Sequence, residues 1–149
     1  IKKVMKEKKA IFAGEHSYHF FFPSLYYADS GMVALLVCLE ILSETEELAS
    51  ELGKKFDIYP QSGEINFKVE NKEKVTEAVE EKFALKAKSV DYLDGVSIWF
   101  EDWWFNIRPS NTQPLLRLNV EADSQLLLDE KVGPLIGFIV SQGGKRSFE

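Results

Sequence analysis

Residues 32–42, MVALLVCLEIL, are apolar on nearly every side of a helix. A helix of that kind must be buried on several faces. The chain ahead of it offers little to do the burying. Residues 10–13 form one short apolar run, which predicts a buried strand ending at Gly14. A loop rich in aromatic and polar groups, residues 14–29, follows, and Asp29 or Ser30 is placed to cap the helix. The expectation is the C-terminal piece of an α/β domain whose other layers are missing. The opening points the same way, since Ile1, Val4 and Met5 already stand at helical spacing with no initiator methionine. Residues 44–56 predict a second, more polar helix, and its charged run at 44–51 predicts a solvated face. The single cysteine, Cys38, lies inside the apolar run and predicts a small buried side chain rather than a nucleophile. One cysteine permits no disulfide within the chain and fits a reducing, cytoplasmic compartment.

The pattern changes after residues 57–63, where Pro60 and Ser62-Gly63 predict a linker. Ile65, Phe67 and Val69 then alternate with polar residues, as in a half-buried strand. Asn71 can cap a helix whose apolar face holds Val75, Ala78, Val79 and Phe83. Residues 90–93 and 96–100 flank Asp94-Gly95, which predicts a two-residue hairpin turn. Residues 103–108 predict a strand after a turn at Glu101-Asp102, and Leu116, Leu118 and Val120 alternate along another. A last helix carries Leu128, Val132, Leu135, Ile136, Ile139 and Val140 on one face, with Pro134 expected to bend it. Residues 143–149 predict a frayed tail. The fold class is α+β, with one antiparallel sheet bearing helices on one face. The expected domains are residues 1–56, an α/β piece, and 64–149, an α+β domain, joined by 57–63.

The net charge of −6 over 149 residues excludes a general nucleic-acid binder, which needs a basic footprint. No apolar stretch approaches the roughly 18 residues of a membrane span. An anionic ligand must therefore be held by a local cluster of donors, against the overall field.

Two segments offer such donors. Arg108-Pro109-Ser110-Asn111-Thr112-Gln113-Pro114 joins two expected strands. Arg108 has a planar fork that matches a phosphate, Ser110 and Thr112 have hydroxyls, and Asn111 has an amide. The prolines stiffen the loop ends, so less order is lost on binding. A plain polar turn remains an equal reading of the spacing. The second segment is Gly14-Glu15-His16-Ser17-Tyr18-His19, which follows the expected strand as ligand loops do in α/β sheets. A carboxylate and a hydroxyl read sugar hydroxyls, and a histidine moves protons near neutral pH. A metal site from Glu15, His16 and His19 is incomplete, a Ser–His dyad lacks a third member, and a purely structural loop stays open. Trp99, Trp103 and Trp104, with Phe100 and Phe105, read as core and edge packing before a sugar platform.

Across nearly the whole chain these stretches resemble the α-D-phosphohexomutase superfamily, in its phosphomannomutase/phosphoglucomutase branch. The resemblance is carried by GEHSYHFFFP, YYADSGMVALLVCLEIL, SGEINFKVENK, LDGVSIWFEDWWFNIRPSNTQPLLRLNVEA and the final helix. It implies the end of the third and the whole of the fourth of four domains, the fourth with a TATA-binding-protein-like fold. It implies that Glu15 and Ser17 read sugar hydroxyls, that His19 helps proton transfer, and that Arg108, Ser110, Asn111 and Thr112 hold the phosphate that is not reacting. The implied partners are a phosphorylated hexose (glucose or mannose, as the 1- or 6-phosphate) and the N-terminal domains of the same enzyme.

Two departures from the family pattern stand out. Tyr18 replaces a usual glycine, which matters if that position needs positive φ. Gln113 replaces a usual glutamate. The family's phosphoserine loop and its magnesium loop have no counterpart here, so no cofactor is expected in this chain. Mg2+ belongs to the intact parent, and the chain alone is expected to be inactive. A free-standing phosphosugar-binding or regulatory module, and an interaction domain without catalysis, remain the alternatives.

Overall fold

The computed structural model describes all residues except His16, Asn111, Thr112, Phe148 and Glu149. They divide into two compact units, Ile1–Phe56 and Asp57–Glu149.

The first unit holds helix α1 (Lys2–Lys8), strands β1 (Ala13–Gly14), β2 (Phe20–Phe22) and β3 (Ala28–Asp29), and helices α2 (Gly31–Ser43) and α3 (Ala49–Lys54). The three strands form an antiparallel sheet in the order β1-β2-β3. Ser30 caps α2, its Oγ accepting from the Val33 N–H at 3.2 Å. Two expectations fail in this unit, the buried strand and the buried cysteine, while the apolar helix lies open as a piece without its other layers leaves it. The strand expected at residues 10–13 is only β1, and Ile11 is 88% exposed. No residue of α2 is buried, and Met32, Leu36 and Ile41 lie exposed. Cys38 is likewise exposed. The physical reason is shared: an apolar pattern states what a segment would bury against, and no layer of this unit covers these residues. The helix expected at 44–56 contracts to α3, with Leu48 exposed at its N-cap.

The second unit holds β4 (Ile65–Lys68), α4 (Lys72–Phe83), β5 (Ser89–Asp91), β6 (Val96–Trp99), β7 (Trp103–Pro109), β8 (Leu115–Ala122), α5 (Gln125–Ser141) and β9 (Lys145–Ser147). The sheet runs β5-β6-β7-β8-β4-β9, antiparallel throughout. Its strands alternate, so one face carries Phe67, Ile98, Phe105, Ile107, Leu116 and Leu118, all fully buried. Val75 and Val79 of α4 and Leu128, Leu135 and Ile139 of α5 complete that core. Burial of each large side chain contributes about 1.5–3 kcal/mol. Asn71 and Ser124 cap the two helices through side-chain oxygens. The opposite sheet face is polar and is the one that concerns function.

The expected linker contributes to this unit. Ser62 N–H donates to the Val120 carbonyl at 2.9 Å, and Ala122 N–H donates to the Pro60 carbonyl at 3.1 Å. The β5–β6 connection is longer than two residues, because Asp91 pairs with Ser97 and residues 92–95 lie outside the strands. Glu101-Asp102 does make a two-residue turn, closed by the Phe100 N–H to the Trp103 carbonyl at 2.9 Å. Residues 145–147 of the expected frayed tail are ordered instead, and β9 pairs with β4 through Asn66–Ser147, Phe67–Arg146 and Lys68–Lys145. Lys145-Arg146-Ser147 shows no apolar alternation, so only backbone pairing reveals the strand. α5 continues through Pro134 to Ser141.

Candidate functional site

The sugar-reading candidates lie in the connection between β1 and β2. The Glu15 N–H donates to the His19 carbonyl at 2.9 Å, and the Tyr18 N–H donates to the Glu15 carbonyl at 3.0 Å. This turn brings Glu15, Ser17 and His19 together. Ser17 Oγ donates to Glu15 Oε2 at 3.0 Å and lies 2.8 Å from His19 Nδ1. His19 Nδ1 is itself 3.7 Å from the same carboxylate oxygen. The serine has one proton to give. With that proton on Glu15, Nδ1 carries a hydrogen and donates to Oγ. All three side chains are open to solvent. Tyr18 has φ of +63° and its ring is 82% exposed, so the position does demand the left-handed region. His16 lies outside the described residues.

The phosphate-holding candidates lie where β7 turns into β8. Arg108 sits near the end of β7 on the polar face, in register with Arg117 of β8, which in turn pairs with Asn66 of β4. Arg108 is flanked by two carboxylates, Asp94 Oδ2 at 3.3 Å from Nη1 and Glu64 Oε2 at 3.6 Å from Nη2. Arg117 Nη1 reaches the same Glu64 oxygen at 3.4 Å. Ser110 is buried and its N–H is committed to the Leu115 carbonyl at 2.8 Å, which leaves the hydroxyl as its donor. Asn111 and Thr112 lie outside the described residues. Gly95 fits against Arg108 only because it lacks a Cβ. It has φ of +72°, and a Cβ there would fall 2.4 Å from the Ile107 carbonyl oxygen. Asn106 secures the same turn, its Nδ2 donating to the Asp94 carbonyl at 2.7 Å.

Sequence reasoning missed Glu64, Lys72, Asp94 and Arg117. Arg117 was within reach, because it stands out of phase with Leu116 and Leu118 and so shares a face with Arg108. Lys72 had no comparable signal. It is the first residue of α4, and only the fold carries its Nζ to the Ser110 carbonyl, 2.8 Å away.

The tryptophans divide between the two faces. Phe100 and Trp103 stack at 4.2 Å and pack against the core. Trp99 and Trp104 stack at 4.6 Å on the polar face, with Trp104 Nε1 donating to Glu121 Oε1 at 3.2 Å. They lie at the opposite end of β7 from Arg108. Among the described residues no three His, Cys, Asp or Glu side chains converge as metal ligands. No described helix is long and apolar enough to cross a membrane.

Residues 1–59 match the phosphoglucomutase/phosphomannomutase alpha/beta/alpha domain III, and residues 64–131 match the phosphoglucomutase/phosphomannomutase C-terminal domain. The chain is 48% identical over 132 residues to a phosphomannomutase of Methanocaldococcus jannaschii, covering 89% of this chain and 29% of that protein. It is 40% identical over 142 residues to a phosphomannomutase of Vibrio cholerae, covering 93% of this chain and 31% of that protein. A crystal structure of a phosphoglucomutase/phosphomannomutase family protein from Burkholderia thailandensis superposes with a TM-score of 0.73 at 25% identity, covering 99% of this chain and 32% of the other. The chain thus spans less than a third of the length of these relatives, and over that span, through domain III and the C-terminal domain, it belongs to the phosphoglucomutase/phosphomannomutase family.

Proposed function

We propose that this chain supplies the sugar-reading and phosphate-holding loops of a phosphohexomutase, which interconverts hexose 1-phosphate and hexose 6-phosphate of glucose or mannose through a bisphosphorylated sugar. Arg108, Ser110, Asn111 and Thr112 hold the phosphate that is not reacting. Glu15 and Ser17 read hydroxyls of the ring. His19, with Nδ1 committed to Ser17, exchanges a proton through Nε2 with a substrate oxygen. The phosphoserine and the Mg2+ that stabilise the transferring group belong to domains outside this sequence, so the chain alone does not turn over.

The observation that carries this reading is the corner around Arg108. In a chain of net charge −6, two arginines meet two carboxylates there and Lys72 bonds the Ser110 carbonyl, beside a loop with hydroxyl donors. Charge-assisted hydrogen bonds of this type contribute about 1.5–3 kcal/mol each. The test is an NMR titration of the chain with glucose 1-phosphate. The amides of Gly14–His19 and of residues 108–113 are expected to shift together. Arg108→Ala should weaken binding about tenfold or more. Unchanged affinity in that variant would remove the phosphate assignment. Turnover by the purified chain would remove the claim that it is inactive alone.

A further inference from the structure

We propose that Lys72 is an anion-binding residue of the phosphate loop, and that its charge adds to the cationic character of that corner. The inference rests on the reading of residues 108–114 as a phosphate site. Lys72 opens α4, far from the loop in sequence, yet its Nζ donates to the Ser110 carbonyl at 2.8 Å and to the Gln113 carbonyl at 3.3 Å. These two oxygens are the negative ends of peptide dipoles on the rim a phosphate must approach. An ammonium bonded to both turns a repulsive rim into an attractive one.

The charge balance makes the same point. Arg108 and Arg117 are offset by Glu64 and Asp94, through contacts of 3.3–3.6 Å. Among the ion pairs of the described residues, the two guanidinium groups are matched by two carboxylates, and Lys72 adds a further positive charge. Gln113 ties Lys72 into it: its backbone carbonyl takes Lys72, and its side-chain Oε1 accepts from Arg117 Nη2 at 3.4 Å. An ammonium has three N–H donors, and two are used. The proposal assigns the third to a phosphate oxygen of the bound sugar phosphate. Lys72 thus contributes at two levels, by neutralising the rim and by direct contact.

The experiment titrates the 149-residue chain with inorganic phosphate and with glucose 1-phosphate, following the Ser110 and Gln113 amides by NMR. Lys72→Met is expected to weaken both ligands about tenfold or more, and Lys72→Arg to retain affinity within about threefold. Unchanged affinity in Lys72→Met beside lost affinity in Arg108→Ala overturns the proposal but spares the loop reading, and a static Lys72 13Cε signal beside moving loop amides shows a structural pin instead of a contact. Absence of any shift in the unsubstituted chain would overturn the loop reading, and the role of Lys72 with it. Should Lys72→Met unfold the unit, the 13Cε signal of Lys72 in the unsubstituted, lysine-labelled chain decides. Movement with the same Kd as the loop amides supports the contact, and a static signal beside moving amides overturns it.

Discussion

Gly95 lies so close to Arg108 that a Cβ on the glycine would sit 2.6 Å from the Cβ of the arginine. The β5–β6 connection is pressed against the end of β7, and its Asp94 carboxylate meets the guanidinium there. Gly95→Ala must move backbone, since its other close neighbour is a main-chain oxygen, and it must also hold a positive φ. The expected cost is about 2–3 kcal/mol, read as a lower urea midpoint for the second unit. Phosphate affinity should fall as well, because Arg108 is displaced with the turn.

Gln113→Glu restores the glutamate usual in the family and places a carboxylate between Lys72 and Arg117. Both cations then have a permanent internal partner. Affinity for glucose 1-phosphate is expected to drop about three- to tenfold at low salt. The gap from the unsubstituted chain should narrow as added salt screens the new charge. Titrations at two ionic strengths check both parts.

Tyr18 holds φ of +63° with its ring in solvent, so the left-handed backbone is paid for by no visible packing. Tyr18→Gly relieves about 1–2 kcal/mol of strain but adds chain entropy to the unfolded state, leaving a net gain of about 0.5–1 kcal/mol. Chemical denaturation followed on signals of the first unit measures it. The Glu15–Ser17–His19 contacts should survive, since they depend on the turn and not on the ring.

Ser17→Ala breaks the link between Glu15 and His19 while leaving the turn. The preference for a hydrogen on Nδ1 should then weaken, because the acceptor that imposes it is gone. The 15N shifts of the His19 ring, compared between the two proteins at a pH where the ring is neutral, report the tautomer balance directly.

Tyr92 offers a pH test. Its hydroxyl donates to Glu80 Oε1 at 2.5 Å, and that hydrogen bond, with a smaller effect of desolvation and of the carboxylate's charge, raises its pKa above 10.0. Since the folded value is the higher one, any stabilisation from this pair is complete below pH 10 and is lost as the pH rises through the folded pKa. Ultraviolet titration of the phenolate should show one tyrosine ionising late, and Glu80→Gln should bring it back toward 10.

The second unit was readable in sequence wherever burial follows a period. Ile65 and Phe67, Val75 and Val79, and Leu116 and Leu118 all fall on the core side as their spacing requires. In the first unit the apolar pattern ran ahead of the packing for one cause. Met32, Leu36 and Cys38 carry a pattern of burial whose complementary surface is not among the described residues of their unit. β9 was invisible for the opposite reason, since it is held by main-chain pairing that any residues can make. At the candidate site, Arg108 and Ser110 were legible because guanidinium and hydroxyl chemistry announces itself within one loop. Glu64, Lys72 and Asp94 arrive from three other elements, and no local pattern could gather them. Glu15, Ser17 and His19 were found as a motif, but the order of their hydrogen bonds required coordinates.

The pairing of β9 with β4 bears on how the second unit is made. Residues 65–68 are synthesised first among its strands, and they stand between β8 and β9 in the finished sheet. While a ribosome is still translating, β4 has neither neighbour until β8 has cleared the exit tunnel, and it keeps one naked edge until residue 147 has emerged. The nascent unit therefore passes through a stage with α4 already synthesised and its first strand unpaired, its main-chain donors and acceptors open to any competing backbone.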